Sequence, residues 1–430
     1  MGGGSTIFAL ASAPGRAGIA VIRLSGPGSG AAVEQLTGKP LPPPRRAVLR
    51  RFSHGGAVID EGLLLWFAGP ESFTGEDVAE LQLHGGRAVQ GALFGALAEM
   101  GLAPAEPGEF SRRAVENGRL DLTRAEAIAD LVDAETESQR RAALRQYDGA
   151  LADLYEGWRA ALIRALGRAE AAIDFSDDGV GETEFVAART AAAKIATEIA
   201  AHLDDGRRGE ALREGLRLAI VGPPNAGKSS LINALAQREA AIVSETPGTT
   251  RDVIELRLNL GGYLVHVADT AGLRETEDVI EAEGVRRARA AARDADLTLL
   301  LLDGRDAALT DIPADLIVRN KSDLPGFEKS GGIALSLKTG DGLGDVLTAL
   351  SALIGKRLET KDQSVSLSRP RHRRELEIAL EMLQRSGAAK EVELFAEDLR
   401  LGMRALGRIT GRVDVEELLD FVFKDFCIGK

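Results

Sequence analysis

The stretch "LRLAIVGPPNAGKSSLINAL" constrains the fold of this chain more than any other feature. An apolar run, Leu216 to Val221, leads into Gly222-Pro223-Pro224-Asn225-Ala226-Gly227-Lys228-Ser229, and a helical pattern follows at once. The spacing G-x-x-x-x-G-K-[ST] thus stands in the context its chemistry needs, a strand before and a helix after. Its glycines let backbone N–H groups approach phosphate oxygens, and the helix start adds partial positive charge. Lys228 is placed to reach the β- and γ-phosphates, and the Ser229 hydroxyl to ligate Mg²⁺. The surrounding segment, 213–357, alternates strand runs with helical stretches and predicts a parallel α/β sheet.

Three further motifs follow in order. "TPGTTRD" supplies Thr250 as a second Mg²⁺ ligand, and "VHVADTAGL" ends a strand in Asp269, with Gly272 able to donate a backbone N–H to the γ-phosphate. "LIVRNKSD" ends another strand in Asn320, Lys321 and Asp323. A fixed carboxylate at Asp323 accepts from both the ring N–H and the amino group of guanine. Adenine lacks that donor pair, and a carboxylate left unsatisfied costs about 1–3 kcal/mol or more. "SLK", Ser336 to Lys338, fits the outer loop around the base. The predicted nucleotide is GTP. After "DTAG", where Ras-type switches carry a water-positioning Gln, the chain has Leu273, and no arginine finger can be read from the sequence. The charge that develops on the β/γ oxygens therefore needs another source of stabilisation.

Outside this segment the texture changes. Residues 1–118 are punctuated by Gly and Pro between short apolar runs, which reads as α+β. Residues 119–212 turn rich in Ala, Arg and Glu; Ala127, Ile128, Leu131, Val132 and Ala134 recur at helical spacing. Helical texture returns within 358–430 after the linker "ETKDQSVSLSRP". Helical material on both sides of an α/β unit predicts one discontinuous bundle with the α/β domain inserted in it. Only about a dozen residues join the strand ending at Asp303 to the one starting near Leu316, so the crossover helix is expected to shrink to a turn or two.

The net charge of −12 argues against general attraction to nucleic acid. The cluster Arg369, Arg371, His372, Arg373 and Arg374 reads first as a solvated helix start. No run of 18 apolar residues occurs, and Leu297 to Leu302 suits a buried strand. "MGGGST" nominally fits a myristoylation pattern, but nothing polybasic follows it, and no secretory signal is visible. The expected location is the cytoplasm. His84 reads as a turn-side core histidine with no catalytic role. Cys427, the only cysteine, lies in the terminal "FCIGK", where Gly429 and Lys430 fit a prenylation signal badly.

Asn225 within "GPPNAGKS", the stretches "AIVSETPGTTRDVIE" and "DTAGLRETEDVIEAEG", and the terminal "FCIGK" together resemble the MnmE (TrmE) family of tRNA modification GTPases. So do "APGRAGIAVIRLSG", "SFTGEDVAELQLHGG" and "PGEFSRRAVENGRLDLTRAEAIADL" near the start, and the resemblance covers nearly the whole chain. It implies a folate-enzyme-like N-terminal domain that also mediates homodimerisation, the helical bundle, and a Ras-like P-loop GTPase domain. The implied reaction is GTP-dependent installation of a carboxymethylaminomethyl group at C5 of the wobble uridine of certain tRNAs. A FAD-binding partner, MnmG (GidA), and a tetrahydrofolate derivative, 5,10-methylene- or 5-formyl-tetrahydrofolate, take part.

The resemblance also assigns residues. The GTP-contacting set is Asn225, Ala226, Gly227, Lys228, Ser229 and Ser230, then Ser244, Glu245, Thr246, Pro247, Gly248, Thr249 and Thr250. Asp269, Thr270, Ala271 and Gly272 follow, then Asn320, Lys321, Asp323, Ser336, Leu337 and Lys338. A K⁺ ion held by Asn225 and loop residues Ser244, Thr246 and Thr249 takes the place of an arginine finger, and Glu281 aligns water indirectly. Folate contacts carry over to Arg23, Glu80, Arg119 and Lys430, with Arg119 standing where Lys is usual. The tail is expected to fold back toward the folate-binding centre, with Cys427 a nucleophile, a packing residue or an orienting group. The alternative is a ribosome-assembly GTPase that switches without modification chemistry. The KH module or second P-loop that such proteins often carry is not visible.

Overall fold

Alternation in the N-terminal strands and its absence in the later ones produce two different sheets. A computed structural model of the protein describes residues 4–174, 180–237, 256–268, 281–305, 312–327, 331–358, 367–413, 419–420, 422–424 and 426–429. Its packing forms two compact units, one of 1–129, 146–188 and 389–430, the other of 130–145 and 189–388.

The first unit holds strands β1 (Ile7–Leu10), β2 (Ala17–Ser25), β3 (Val48–His54), β4 (Ala57–Phe67), β5 (Val78–Gly85) and β6 (Ala103–Pro104) in the order β3-β4-β5-β2-β1-β6. Neighbours are antiparallel except the pair β1–β6. Ile22 and Leu24 on β2, Leu64 and Trp66 on β4, and Leu81 and Leu83 on β5 are buried in one core. Helices Ser29–Thr37 and Arg87–Glu99 supply Val33, Leu36, Leu93 and Leu97 to it. Each such side chain contributes about 1.5–3 kcal/mol by leaving water. The period of two sends Val21, Arg23, Leu63, Glu80 and Gln82 to the opposite face.

Helix Val392–Thr410 packs along helix Ala150–Asp174. Arg400 reaches Glu170 at 3.0 Å, and Thr410 and Arg412 both donate to Glu156 Oε1, at 3.0 and 2.7 Å. One of these helices precedes the nucleotide motifs in the chain and the other follows them. The terminal segment docks on the same unit. Gly108, at φ 68, leaves no room for a Cβ, which would fall 2.9 Å from both Phe423 and Phe426. Its N–H donates to the Cys427 carbonyl at 3.2 Å, and Ile428 bridges to Pro107.

The second unit contains β7 (Leu216–Val221), β8 (Leu256–Leu260), β9 (Tyr263–Ala268), β10 (Leu297–Asp303), β11 (Leu316–Asn320) and β12 (Ile333–Ala334), ordered β12-β11-β10-β7-β9-β8. All neighbours run parallel except β8 with β9. Helices Lys228–Gln237 and Leu343–Leu358 cover one face, and helix Glu281–Asp294 brings Ala291 and Ala292 to the other. Strands covered on both faces read as continuous apolar runs, which is why Leu297 to Leu302 shows no alternation. Among the described residues the β10–β11 crossover has no helix; Ile312 plugs the core there, and 306–311 lie outside the described residues.

Two expectations need correction. Arg369 and Arg373 are not a solvated helix start: Arg369 donates to Asp130 at 2.6 Å, and Arg373 to Asp205 and Glu210 at 2.6 and 2.7 Å. Those carboxylates are largely withdrawn from water, and a buried acid without a partner is costly. His84 is not a core residue either. It stands exposed on β5, where its Nδ1 lies 2.9 Å from Asp60 Oδ1. Among the described residues, no helix is long and apolar enough to cross a membrane.

Candidate nucleotide and cofactor sites

Parallel strands deliver their C-terminal ends to one edge of a sheet, where open α/β folds bind ligands. At that edge β7 runs into the phosphate loop and β11 into Asn320-Lys321-Ser322-Asp323. Gly222 leaves β7 with φ 155; a Cβ there would lie 2.0 Å from the Leu301 carbonyl oxygen of β10. Asn225 adopts a left-handed backbone, φ 62, which Asn tolerates better than most side chains. Asn225 and Ser229 are exposed, whereas Ala226 is buried beneath the loop. Lys228 Nζ donates to the carbonyls of Gly222 and Pro223, both at 2.9 Å, and burial lowers its pKa.

The base-reading loop is tied to the phosphate loop and to the "SLK" loop. Asn320 Nδ2 donates to the Ala226 carbonyl at 2.8 Å, and its Oδ1 accepts from Leu337 N–H at 3.2 Å. Ser336 Oγ donates to Asp323 Oδ1 at 2.8 Å, while Asp323 itself remains exposed. Ser230 and Lys338 are exposed beside these loops. Lys321 Nζ donates to Asp303 Oδ2 at 2.7 Å. Sequence reasoning did not flag Asp303 as a partner of this loop, because the end of an apolar strand gives no motif.

The structure thus brings together Asn225, Ala226, Gly227, Lys228, Asn320, Lys321, Asp323, Ser336 and Leu337. Ser244 to Thr250 and Asp269 to Gly272 lie outside the described residues, as does the side chain of Glu281, which opens helix Glu281–Asp294.

A second site stands on the open face of the first sheet. Arg23 on β2 and Glu80 on β5 are register partners, each between buried neighbours, so alternation turns both side chains to that face. Arg23 Nη2 and Nε donate to Glu80 Oε1 at 2.8 and 3.1 Å. The Arg23 guanidinium lies 5.6 and 5.7 Å from the ring centroids of Phe73 and Phe110, within cation–π range. Arg23, Glu80 and Arg119 all line one cavity of about 360 Å³, with Arg45, Phe67, Glu71 and Phe73. Arg119 is 3.7 Å from Glu71. A cavity of that size with a few convergent polar groups suits a small organic cofactor. Arg45, Glu71 and the two phenylalanines lie on turns and strand ends where spacing gives no signal. Cys427 is exposed and does not line this cavity; Lys430 lies outside the described residues.

Comparison with known proteins identifies the family. Residues 122–427 match the family described as MnmE helical domain, and residues 6–119 match GTP-binding protein TrmE N-terminus. The chain is 56% identical over 439 residues to the tRNA modification GTPase MnmE of Paramagnetospirillum magneticum, covering 99% of each chain. It is 55% identical to that of Parvibaculum lavamentivorans, covering 99% of this chain and 100% of the relative, and 52% identical to that of Rhodospirillum rubrum, covering 99% of each. This chain belongs to the MnmE (TrmE) family of tRNA modification GTPases.

Proposed function

We propose that this chain is a K⁺-dependent GTPase that, with the FAD-binding partner MnmG (GidA), modifies the C5 position of a tRNA wobble uridine using a tetrahydrofolate one-carbon unit. It is a GTP hydrolase taking part in tRNA modification. The observation that carries the reading is the joining of phosphate loop and guanine-reading loop through Asn320 and Ala226. Such a junction fixes the distance between the triphosphate and the base.

The residues present fit the proposed cations. Asn225 and Ser229 offer exposed oxygen donors on the phosphate loop, and hard cations prefer oxygen. Asn225, with Ser244, Thr246 and Thr249, would hold K⁺, and Ser229 with Thr250 would hold Mg²⁺. When bound, the monovalent ion supplies positive charge beside the β- and γ-phosphates. Lys228 leaves its loop carbonyls for phosphate oxygens, Asp323 orients the base, and Glu281 positions water. Arg23, Glu80, Arg119 and Lys430 bind the folate. The Glu80 carboxylate takes paired N–H donors of the pterin edge, and the arginines face the glutamyl tail.

Homodimerisation through the N-terminal fold is supported by the apolar residues left open on its sheet, Leu49 and Leu63 being register partners 61% and 39% exposed. The domain division 1–118, 119–212, 213–357 and 358–430, and a cytoplasmic location, belong to the same proposal. The deciding experiment is nucleoside analysis of tRNA from cells lacking this chain. The C5-modified wobble uridine should vanish and return on complementation; its persistence would overturn the proposal.

A further inference from the structure

We propose that Asp303 is a positioning residue for the nucleotide base, acting through Lys321. The inference rests on the GTP-binding reading above and adds a contact that the recognised motifs do not contain.

Asp303 closes β10 and Asn320 closes β11, and the two are register partners, so the carboxylate stands beside the base-reading loop. Asp303 Oδ2 accepts from Lys321 Nζ at 2.7 Å and from Arg305 Nη2 at 2.9 Å; Oδ1 accepts from Arg305 Nε at 3.1 Å. The carboxylate is mostly shielded, its side chain 13% exposed. The hydrogen bonds from Arg305, with those from Lys321, hold its pKa well below the usual carboxylate range. Asn320 and Asp323 take their partners from within the nucleotide motifs, through Ala226, Leu337 and Ser336. Lys321 is tethered from outside them.

The tether matters because of the lysine's own geometry. Lys321 has a left-handed backbone, φ 66, which is unfavourable for a non-glycine residue and persists only where surroundings fix it. A free lysine also loses much of its rotamer freedom when it is immobilised. Pinning Nζ to Asp303 settles both before the nucleotide arrives. The methylene stem is then a preset wall for the flat face of a purine. Asp323 reads the edge of the base; the Asp303–Lys321 pair holds its face. The two contributions are separable, since only the edge contact distinguishes guanine from hypoxanthine.

The test titrates the full-length chain with GDP and with IDP. Asp303→Asn should weaken GDP binding about tenfold, or about 1.4 kcal/mol, and weaken IDP binding by the same factor. The turnover at saturating GTP should stay near that of the parent while KM rises. Lys321→Ala should weaken GDP binding comparably, and the double variant no further. Asp303→Glu, which keeps the charge, should recover part of the loss. Independent, multiplying effects of the two substitutions would overturn the proposal, as would a lowered melting temperature with GDP affinity unchanged. A parent chain that binds neither GDP nor GTP would overturn both this proposal and the nucleotide reading beneath it.

Discussion

Asn320 Nδ2 donates to the Ala226 carbonyl oxygen across 94 residues of sequence, and both residues are buried. The bond joins the loop that the motifs assign to the base to the loop that they assign to the phosphates. Gly227 is part of the same arrangement, because a Cβ there would lie 2.5 Å from Asn320 Nδ2.

Asn320→Ala should therefore lower both stability and nucleotide affinity. Leaving the buried Ala226 carbonyl without its donor costs about 1–3 kcal/mol. Denaturant titration without nucleotide reads the first effect and calorimetry with GDP the second. A midpoint equal to that of the parent would show that the bond contributes no net stability.

Replacing K⁺ by Na⁺ at constant ionic strength should slow GTP hydrolysis sharply, by about 10²-fold or more, the scale on which single charge-stabilising groups act. Asn225→Ala should give a similarly slow enzyme in K⁺ and remove most of the difference between the two salts. Equal rates of the parent in both salts would rule out the monovalent site.

Arg23→Ala should weaken binding of 5-formyl-tetrahydrofolate to the intact chain by about tenfold or more, since a charge-assisted contact is worth about 1.5–3 kcal/mol. GTP hydrolysis should be retained, because the nucleotide motifs stand on a separate sheet. Undiminished folate binding, measured by calorimetry, would move the ligand out of this cavity.

Acidification should destabilise the protein partly through His202. Burial, aided by the nearby Arg373 and His372 charges and opposed by Asp205, lowers its pKa to about 4. The unfolded chain, near pKa 6.5, binds the proton first as pH falls. This contribution is thus complete above about pH 6.5 and is lost progressively toward about pH 4, by roughly 1–3 kcal/mol. His202→Gln should flatten the stability profile over that interval in urea titrations. An unchanged slope would mean that other groups set the acid limit.

The candidate nucleotide site was legible because phosphate loops and guanine-reading loops need fixed residue types at short spacings. Lys228, Asn320 and Asp323 could be named from local pattern, and the apolar run of β10 announced a strand buried on both faces. The resemblance named Arg23 and Glu80, yet their ion pair depends on the register of β2 against β5, which spacing alone does not set. The basic cluster shows the same limit. Sequence gives the charges of Arg369 and Arg373, while only packing brings Asp130, Asp205 and Glu210 against them and removes them from solvent. Asp303 is the clearest case: nothing in "LTLLLLD" marks its last residue until β11 lies beside it and places Lys321 within 2.7 Å. Local sequence determined which chemistry the chain carries, because backbone conformation and motif spacing are short-range. The tertiary structure decided which charges meet, because hydrogen bonds between strands join residues that the chain itself keeps far apart.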